Sequence, residues 1–257
     1  MTSDALRPRR KPRPRRRISI IGIFGELLIT AGLLVVLFLG WQVWWNDIVV
    51  GGQQATAAQE LTEGWGPVEA APPSNPEADP VDHGEPVVSA VAEHGQGFAT
   101  IYVPRFGADW QRVVAEGTSM ADILNDPALG VGHYEGTQMP GEVGNFAVAA
   151  HRQTHGGSFN QINQLVVGDP IYVGTEDGWY TYRYRSTEYV LPSGVGVLDP
   201  VPQVEDAAPG DRVITLTACN PLFSTAERII AYGVMESWQP QSAGPPAEIA
   251  HFFQQGA

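Results

Sequence analysis

The stretch Val213-Ile-Thr-Leu-Thr-Ala-Cys219-Asn-Pro221 predicts a β-strand that ends beside the single cysteine of the chain. Apolar and polar residues alternate in it, which is the two-residue period of a strand with one buried face. In that period Cys219 shares the more polar face with Thr215 and Thr217. Pro221 cannot donate to a strand ladder, so the strand is predicted to end next to a loop, where chemistry is commonly found.

Other short apolar or alternating runs follow residue 97, separated by turns rich in Gly, Pro and Asp. The predicted strands cover residues 98–103, 111–115, 145–150, 170–174, 179–191, 212–219 and 228–237. Regular short strands with turn signals are typical of a sandwich or barrel. Short helices are predicted at 120–124, at 159–165 and near Glu248. We therefore predict a mainly β domain over residues 94–240, followed by a C-terminal tail at 241–257.

An apolar segment precedes this domain. Residues 18–39 contain one charge, and a helix of these 22 residues is about 33 Å long, enough to cross the roughly 30 Å hydrocarbon core of a bilayer. Trp41, Trp44 and Trp45 follow, and aromatic residues are enriched at the membrane interface. We predict a transmembrane anchor over 18–45, because the apolar region of a cleaved signal peptide is shorter.

Charge is divided unevenly along the chain. Eight of the 15 basic residues lie in the first 17 positions, whereas 26 acidic and 7 basic residues follow from Asn46 onward, a formal net charge of −19. Residues 1–17 predict a cytoplasmic arm, and the rest then lies outside the cell membrane. The acidic balance argues against a nucleic-acid partner. Residues 46–93 are rich in Ala, Pro and acids and predict an extracytoplasmic linker.

Cys219 is either an inert buried side chain or a reactive thiol, and its place at the end of a strand favours the second. A thiol with a pKa of about 8.5 needs a nearby cation or base to act as a nucleophile at neutral pH. Arg228, nine positions later, is predicted to open the next antiparallel strand and to face the thiol. The alternative for Arg228 is a surface ion pair with Glu227 or Asp211.

Two histidines are candidates for an acid–base role. His151 ends the apolar run 146–150, and His155 follows in a glycine-rich loop. Imidazole is the side chain whose ordinary pKa suits proton transfer near neutral pH. The residues alone do not decide between the two.

These residues carry a resemblance to a known family. Thr215-Leu-Thr-Ala-Cys219 with Arg228 nine positions later, and the upstream Ala150-His151-Arg152, resemble the sortases, which are membrane-anchored cysteine transpeptidases. The strings Gly132-His-Tyr-Glu-Gly-Thr-Gln-Met-Pro-Gly-Glu-Val-Gly-Asn-Phe146 and Cys219-Asn-Pro-Leu-Phe-Ser-Thr-Ala-Glu-Arg228 are similar to the actinobacterial class E branch. The resemblance covers residues 97–238.

The sequence departs from the common sortase pattern at three places. Ala218 stands where threonine is frequent, and Ala150 stands where glycine often precedes the histidine. Asp79-Pro80-Val81 lacks the aromatic residue of the Asp-Pro-aromatic lid found in pilus-assembling class C enzymes. A pilin-polymerising sortase is therefore a less favoured alternative.

The resemblance implies an eight-stranded sortase-type β-barrel behind one N-terminal transmembrane helix. It implies Cys219 as nucleophile, His151 rather than His155 as general acid and base, and Arg228 as the group that stabilises the oxyanion. Substrate-binding roles are predicted for His133, Tyr134 and Thr217.

The implied substrates are secreted proteins with a C-terminal sorting signal of the Leu-Ala/Pro-x-Thr-Gly type. The enzyme would cleave between Thr and Gly through a thioacyl intermediate and transfer the protein to an amine of a lipid-linked peptidoglycan precursor. We expect no cofactor and no metal, because the acidic residues do not have ligand spacing. A non-enzymatic, membrane-tethered β-barrel binding module with an inert cysteine is the other alternative.

Overall fold

The computed structural model describes residues 19–41, 45–66 and 81–253, in two compact units, Met1–Gln42 and Val43–Ala257. The first unit contains helix α1, Ile20–Gly40, in which no side chain is buried. Among the described residues, α1 is the one helix long and apolar enough to cross a membrane. The predicted basic arm, residues 1–17, lies outside the described residues. So does Trp44, one of the three tryptophans predicted at the membrane interface.

The second unit is built on eight β-strands that close into a barrel in the order β1-β2-β3-β4-β7-β8-β6-β5. The strands are β1 (Gly97–Tyr102), β2 (Gln111–Glu116), β3 (Gly130–His133), β4 (Gly144–Ala150), β5 (Pro170–Thr175), β6 (Gly178–Val190), β7 (Arg212–Asn220) and β8 (Glu227–Pro240). Two neighbouring pairs, β2 with β3 and β4 with β7, are parallel, and the others are antiparallel. The predicted eight-stranded barrel is thus confirmed.

Each of the seven runs with a strand pattern overlaps an observed strand. The eighth strand, β3, was not predicted from its pattern, because it has four residues of which two are glycine, too few to show a period. Helical turns occur at Met120–Leu124, Ile162–Gln164 and Ala247–Phe253. The short helices predicted at 120–124 and near Glu248 are confirmed, whereas the one predicted at 159–165 is a single turn of three residues.

Alternate residues of the strands fill the interior of the barrel. Ile214, Leu216 and Ala218 of β7 all belong to the main apolar core, as the alternation predicted. Tyr180 and Tyr182 of β6 lie in the same core. The polar face of β7, which carries Cys219, is therefore turned away from the core.

Residues 241–253 of the predicted C-terminal tail pack against the barrel. Ile249 is fully buried, and the ring of Phe253 lies 5.0 Å from that of Trp179. Trp179, at the start of β6, is fully buried because the C-terminal residues cover its outer side. Burial of a side chain of this size is worth a few kcal/mol.

The expected linker at 46–93 begins instead with a second helix, α2, at Asn46–Gly64. Gln54, Ala58 and Thr62 lie one helical turn apart on one face and are buried where α2 packs on β1 and β2. The buried stripe consists of small and polar side chains, so the sequence shows no apolar period there. The folded unit accordingly begins well before the predicted boundary at residue 94.

Residues 81–93 also lie against the barrel, although they form no helix or strand. The hydroxyl of Tyr180 donates to the carbonyl oxygen of Val87 at 2.7 Å, and the indole N–H of Trp238 donates to the carbonyl oxygen of Gly84 at 2.8 Å. Ser89 is buried in the same segment. These bonds fasten the segment along its length, which an extended linker does not require.

Candidate active site

Cys219 lies at the end of β7 and has a free, half-buried thiol. In the antiparallel pairing of β7 with β8 it stands directly opposite Arg228, and Asn220 stands opposite Glu227. The side-chain amide of Asn220 donates to Glu227 Oε2 at 3.0 Å, which closes the ladder at the loop. Directly opposite residues carry side chains on the same face of a sheet. The nine-residue spacing thus brings the thiol and the guanidinium to one face, as predicted.

His151 reaches the same end of the barrel on another strand. β4 runs parallel to β7, and the last aligned pair is Ala149 with Thr217. Two residues further along both chains, His151 and Cys219 occupy corresponding positions. Parallel strands present their carboxyl ends at the same edge of a sheet, so His151 and Cys219 are neighbours despite their separation in the sequence.

The three predicted catalytic residues line one cavity of about 400 Å³. It is also lined by Ala149, Ala150, Thr217 and Ala218 from the two parallel strands and by Met120, Leu124, Tyr134, Ser224 and Thr225 from the segments around them. The cavity is large enough for several residues of an extended peptide. We call it the active-site groove.

The ring of His151 is held on two sides. Its Nε2 donates to Oδ1 of Asn125 at 2.8 Å, and the ring of His155 stacks on it at 5.1 Å and 28°. Burial lowers the pKa of His151, the positive charge of His155 lowers it further, and the carboxylate of Asp47 acts in the opposite direction. A lowered pKa favours the neutral ring at neutral pH. With Nε2 bonded, the lone pair of that neutral ring lies on Nδ1.

Arg228 keeps its charge available to the groove. Nη1 donates to the carbonyl oxygens of Thr225 at 3.1 Å and Glu227 at 3.0 Å. Within the described part of the chain, no carboxylate lies within 4.0 Å of its guanidinium nitrogens. The alternative of a surface ion pair with Glu227 or Asp211 is therefore not what the structure shows. A guanidinium without an acidic partner can stabilise a developing oxyanion.

Arg152 connects the two halves of the site. Its guanidinium, in a side chain that is 7% exposed, donates to Oδ1 of Asn220 and, at 3.1 Å, to Oδ1 of Asn163. The residue after the histidine is thereby bonded to the residue after the cysteine. Sequence reasoning quoted Arg152 only as part of a motif and overlooked Asn125, which lies in a loop without a recognisable pattern.

The three predicted substrate-binding residues are divided by the structure. Tyr134 and Thr217 line the groove, and the Tyr134 hydroxyl and Thr217 Oγ1 are 3.0 Å apart. His133 does not line it. Its side chain is 1% exposed, Nδ1 is bonded to Glu116 Oε2 at 2.7 Å, and the ring stacks on Phe146 at 5.2 Å.

The position of His133 has a simple cause. Successive side chains of a strand point to opposite faces, so His133 and Tyr134 cannot both face the groove. His133 points to the interior of the barrel wall, where its ring nitrogens are bonded to internal partners. The predicted substrate contact at His133 has no support in this geometry, and we assign His133 a packing role.

Metal ligands are not clustered in the part of the chain that the structure describes. No group of three or more His, Cys, Asp or Glu side chains there is arranged to hold a metal ion.

A closed barrel with a thiol, an imidazole and a guanidinium that no described carboxylate pairs, all at the carboxyl end of two parallel strands, defines a cysteine-dependent acyl-transferring enzyme. The family described as the Sortase domain matches residues 101–236. The chain belongs to the sortase family, whose members are cysteine transpeptidases.

Two of its relatives are named as sortases of the E type. Sortase SrtE1 of Streptomyces coelicolor is 37% identical over 249 residues, which are 95% of this chain and 65% of that relative, so the chain spans about two thirds of its length. Sortase SrtE2 of the same organism is 32% identical over 254 residues, 95% of this chain and 93% of the relative.

A solved structure agrees with this assignment. The crystal structure of sortase E1 from Streptomyces coelicolor with a tripeptide in the active site is 42% identical in sequence and superposes with a TM-score of 0.55. The match covers 62% of this chain and 99% of that chain.

Proposed function

We propose that the chain cleaves sorting signals of the Leu-Ala/Pro-x-Thr-Gly type between Thr and Gly and transfers the new C-terminus to an amine. The single observation that carries the proposal is the meeting of Cys219, Arg228 and His151 in one groove from three strand ends. The substrates would be secreted proteins with C-terminal sorting signals. The acceptor would be the amine of a lipid-linked peptidoglycan precursor.

The first half of the reaction forms the thioacyl enzyme. The Cys219 thiolate attacks the carbonyl carbon of the Thr–Gly bond, and Arg228 stabilises the oxyanion of the tetrahedral intermediate. His151 in its protonated form gives its proton to the glycine nitrogen as the C–N bond breaks. The products are a thioester on Cys219 and a peptide with a free glycine amine.

The second half resolves the thioester. The acceptor amine attacks the thioester carbonyl, and neutral His151 takes a proton from the attacking nitrogen. Collapse of the tetrahedral intermediate expels the Cys219 thiolate and leaves a new amide bond. The neutral form of His151, which its lowered pKa favours, is the form that this step requires.

A ligation screen tests the proposal. The full-length protein in detergent is incubated with Leu-Pro-x-Thr-Gly or Leu-Ala-x-Thr-Gly peptides and a set of amines, and products are identified by mass spectrometry. We expect cleavage after Thr and a ligated product with at least one amine, and none with Cys219→Ala. Ligation by Cys219→Ala, or no product with any peptide, would contradict the proposal.

We further propose that the protein is a single-pass cell-membrane protein with a cytoplasmic N-terminus. Helix α1 supports the membrane span by its length and composition, and the eight basic residues before it support the orientation. Protease added to the outside of intact cells should remove the catalytic unit and leave an N-terminal tag protected. Loss of the tag under those conditions would show that the N-terminus lies outside the cell and would contradict this orientation.

A further inference from the structure

Helix α2 binds the loop that follows His151. The carboxylate of Asp47 accepts the backbone N–H of Thr154 at 3.0 Å through Oδ2 and that of Gly156 at 3.2 Å through Oδ1. Thr154, His155, Gly156 and Gly157 have φ values of 64°, 47°, 87° and 49°. Residues other than glycine rarely adopt positive φ, and such backbone persists where the surroundings hold it.

Gln54 forms the second contact. It lies seven residues after Asp47, two helical turns along the same face of α2, and is fully buried. Its Nε2 donates to the carbonyl oxygen of His155 at 3.1 Å, and its Oε1 accepts from Ser158 Oγ at 3.0 Å. A Cβ at Gly156 would lie 2.6 Å from Oε1, so glycine is required for this approach.

The loop held by α2, residues 154–158, packs against the ring of His151. His155, in the middle of the loop, stacks on His151 at 5.1 Å. The backbone N–H of Phe159 donates to the carbonyl oxygen of His151 at 2.9 Å, which closes the loop on itself. Hydrogen bonds therefore run from α2 to residues 154–158, and the stacked ring of His155 links that loop to the imidazole.

We propose that Asp47 and Gln54 are positioning residues for the reaction in the groove, because they fix the loop whose His155 packs against the ring of His151. This proposal rests on the proposed function of His151. The contacts of Asp47 and Gln54 with residues 154–158 are polar and specific to that loop. The later turns of α2, with buried Ala58 and Thr62, supply packing instead.

Several charged or titratable groups surround His151. His155 faces it from the loop and Asp47 from α2, while Arg152, Cys219 and Arg228 line the same groove. The Asp47 carboxylate raises the pKa of His151. Loss of that charge should therefore move the titration of His151 to lower pH, whereas loss of the neutral Gln54 should not act through charge.

The test uses full-length protein in detergent micelles with Asp47→Ala, Asp47→Asn and Gln54→Ala. Two exposed positions on α2 provide matched controls, Glu60→Gln for the charge and Gln53→Ala for the side chain. The kcat and KM for a sorting peptide are measured, and kcat is calculated from the concentration of Cys219 thiol that can be alkylated. Misplacement of a catalytic group by about 1 Å costs on the order of 10²-fold, so we expect kcat to fall roughly 10- to 100-fold in Asp47→Ala and Gln54→Ala.

The KM for the peptide should change less than about twofold, because the variants leave the peptide-binding walls intact. Both controls should retain wild-type kcat. If Asp47→Ala and Gln54→Ala keep the wild-type kcat per thiol and lose only thermal stability, α2 has a structural role and the proposal is overturned.

A second measurement needs no substrate. The ring resonance of His151, assigned with His151→Gln, is titrated by NMR in wild type and in Asp47→Asn, which preserves the shape of the side chain. We expect the titration to move to lower pH in Asp47→Asn and to stay unchanged in Glu60→Gln. An unchanged His151 titration in Asp47→Asn would overturn the positioning role.

The two readouts separate the two proposals. A wild-type protein that ligates no peptide, together with a shifted His151 titration in Asp47→Asn, would refute the proposed function and support the link from α2 through the loop to His151. Normal ligation by the wild type, together with an unchanged kcat and an unchanged His151 titration in the α2 variants, would support the proposed function and refute the positioning role.

Discussion

Two loops border the active-site groove, and they are held in different ways. The loop between β7 and β8 is held by the strand ladder, in which Cys219 faces Arg228 and Asn220 faces Glu227. The loop after β4 has no such partner strand. It is held by α2, through bonds from residues more than 100 positions earlier in the chain.

The two sides of the groove therefore depend on different parts of the fold. The paired strands β7 and β8 hold the nucleophile Cys219 and the oxyanion-stabilising Arg228. Ordering these two residues costs little entropy because they are close in the sequence. The α2 side holds the acid–base group with four consecutive residues of positive φ, a conformation that depends on its partners. The imidazole side should therefore respond most to changes remote from the groove.

The largest loss is expected on the α2 side, at the imidazole itself. His151→Gln removes the group that protonates the glycine amine, and general acid–base catalysis contributes roughly 10²- to 10⁴-fold. We expect kcat for ligation to fall within that range. The measurement is steady-state ligation, with Cys219 alkylation to show that the thiol remains reachable. Near-wild-type ligation by His151→Gln would mean that another residue has the acid–base role.

The next largest effect is expected on the ladder side. Arg228→Ala removes the cation opposite Cys219, and loss of one oxyanion donor costs about 10²- to 10³-fold in kcat. Arg185→Ala, at an exposed arginine on β6, serves as the control and should leave kcat unchanged. A purely structural Arg228 would show reduced thermal stability with normal kcat.

A smaller effect is expected where Asn125 bonds the imidazole. Asn125→Ala removes the 2.8 Å bond to His151 Nε2 and leaves the ring held by His155 alone. A hydrogen bond is worth about 0.5–1.5 kcal/mol, so kcat should fall up to about tenfold. The effect is measured in the same ligation assay. A loss as large as that of His151→Gln would mean that Asn125 itself takes part in the chemistry.

The smallest effect is a shift in pH dependence. His155→Asn removes the electrostatic effect of His155 that lowers the pKa of His151, so that pKa should rise and the protonated His151 ring should persist to higher pH. The limb of the pH–rate profile set by His151 should move to higher pH, opposite to the shift expected for Asp47→Asn. His251→Asn, in the C-terminal residues, is the control. A shift to lower pH would contradict the assignment of the charges.

Sequence reasoning succeeds where distances along the chain are short. The pairing of Cys219 with Arg228 follows from strand alternation and a nine-residue spacing, and the structure contains it. The alignment of His151 with Cys219 depends on parallel pairing of β4 with β7, which lie more than 60 residues apart. Composition and period contain no information about that pairing, so only the family resemblance selected His151 over His155.

The remaining differences have the same origin. Helix α2 buries Gln54, Ala58 and Thr62, and such a stripe has no hydrophobic signal. His133 was predicted to contact substrate, yet the two-residue period already requires that it and Tyr134 point to opposite sides. That signal was present in the sequence, whereas the bonds of Asp47 to Thr154 and Gly156 become visible only when the helix is docked.

The most direct test of the account is to trap the acyl enzyme. The protein is mixed with a Leu-Ala-x-Thr-Gly or Leu-Pro-x-Thr-Gly peptide without an amine acceptor, quenched in acid and digested, and its peptides are analysed by mass spectrometry. The proposed mechanism predicts that the peptide containing Cys219 gains the mass of the fragment ending in Thr, and that alkylation of the thiol beforehand abolishes the gain. An acyl group on another residue, or a Cys219 that resists alkylation in the folded protein, would contradict it.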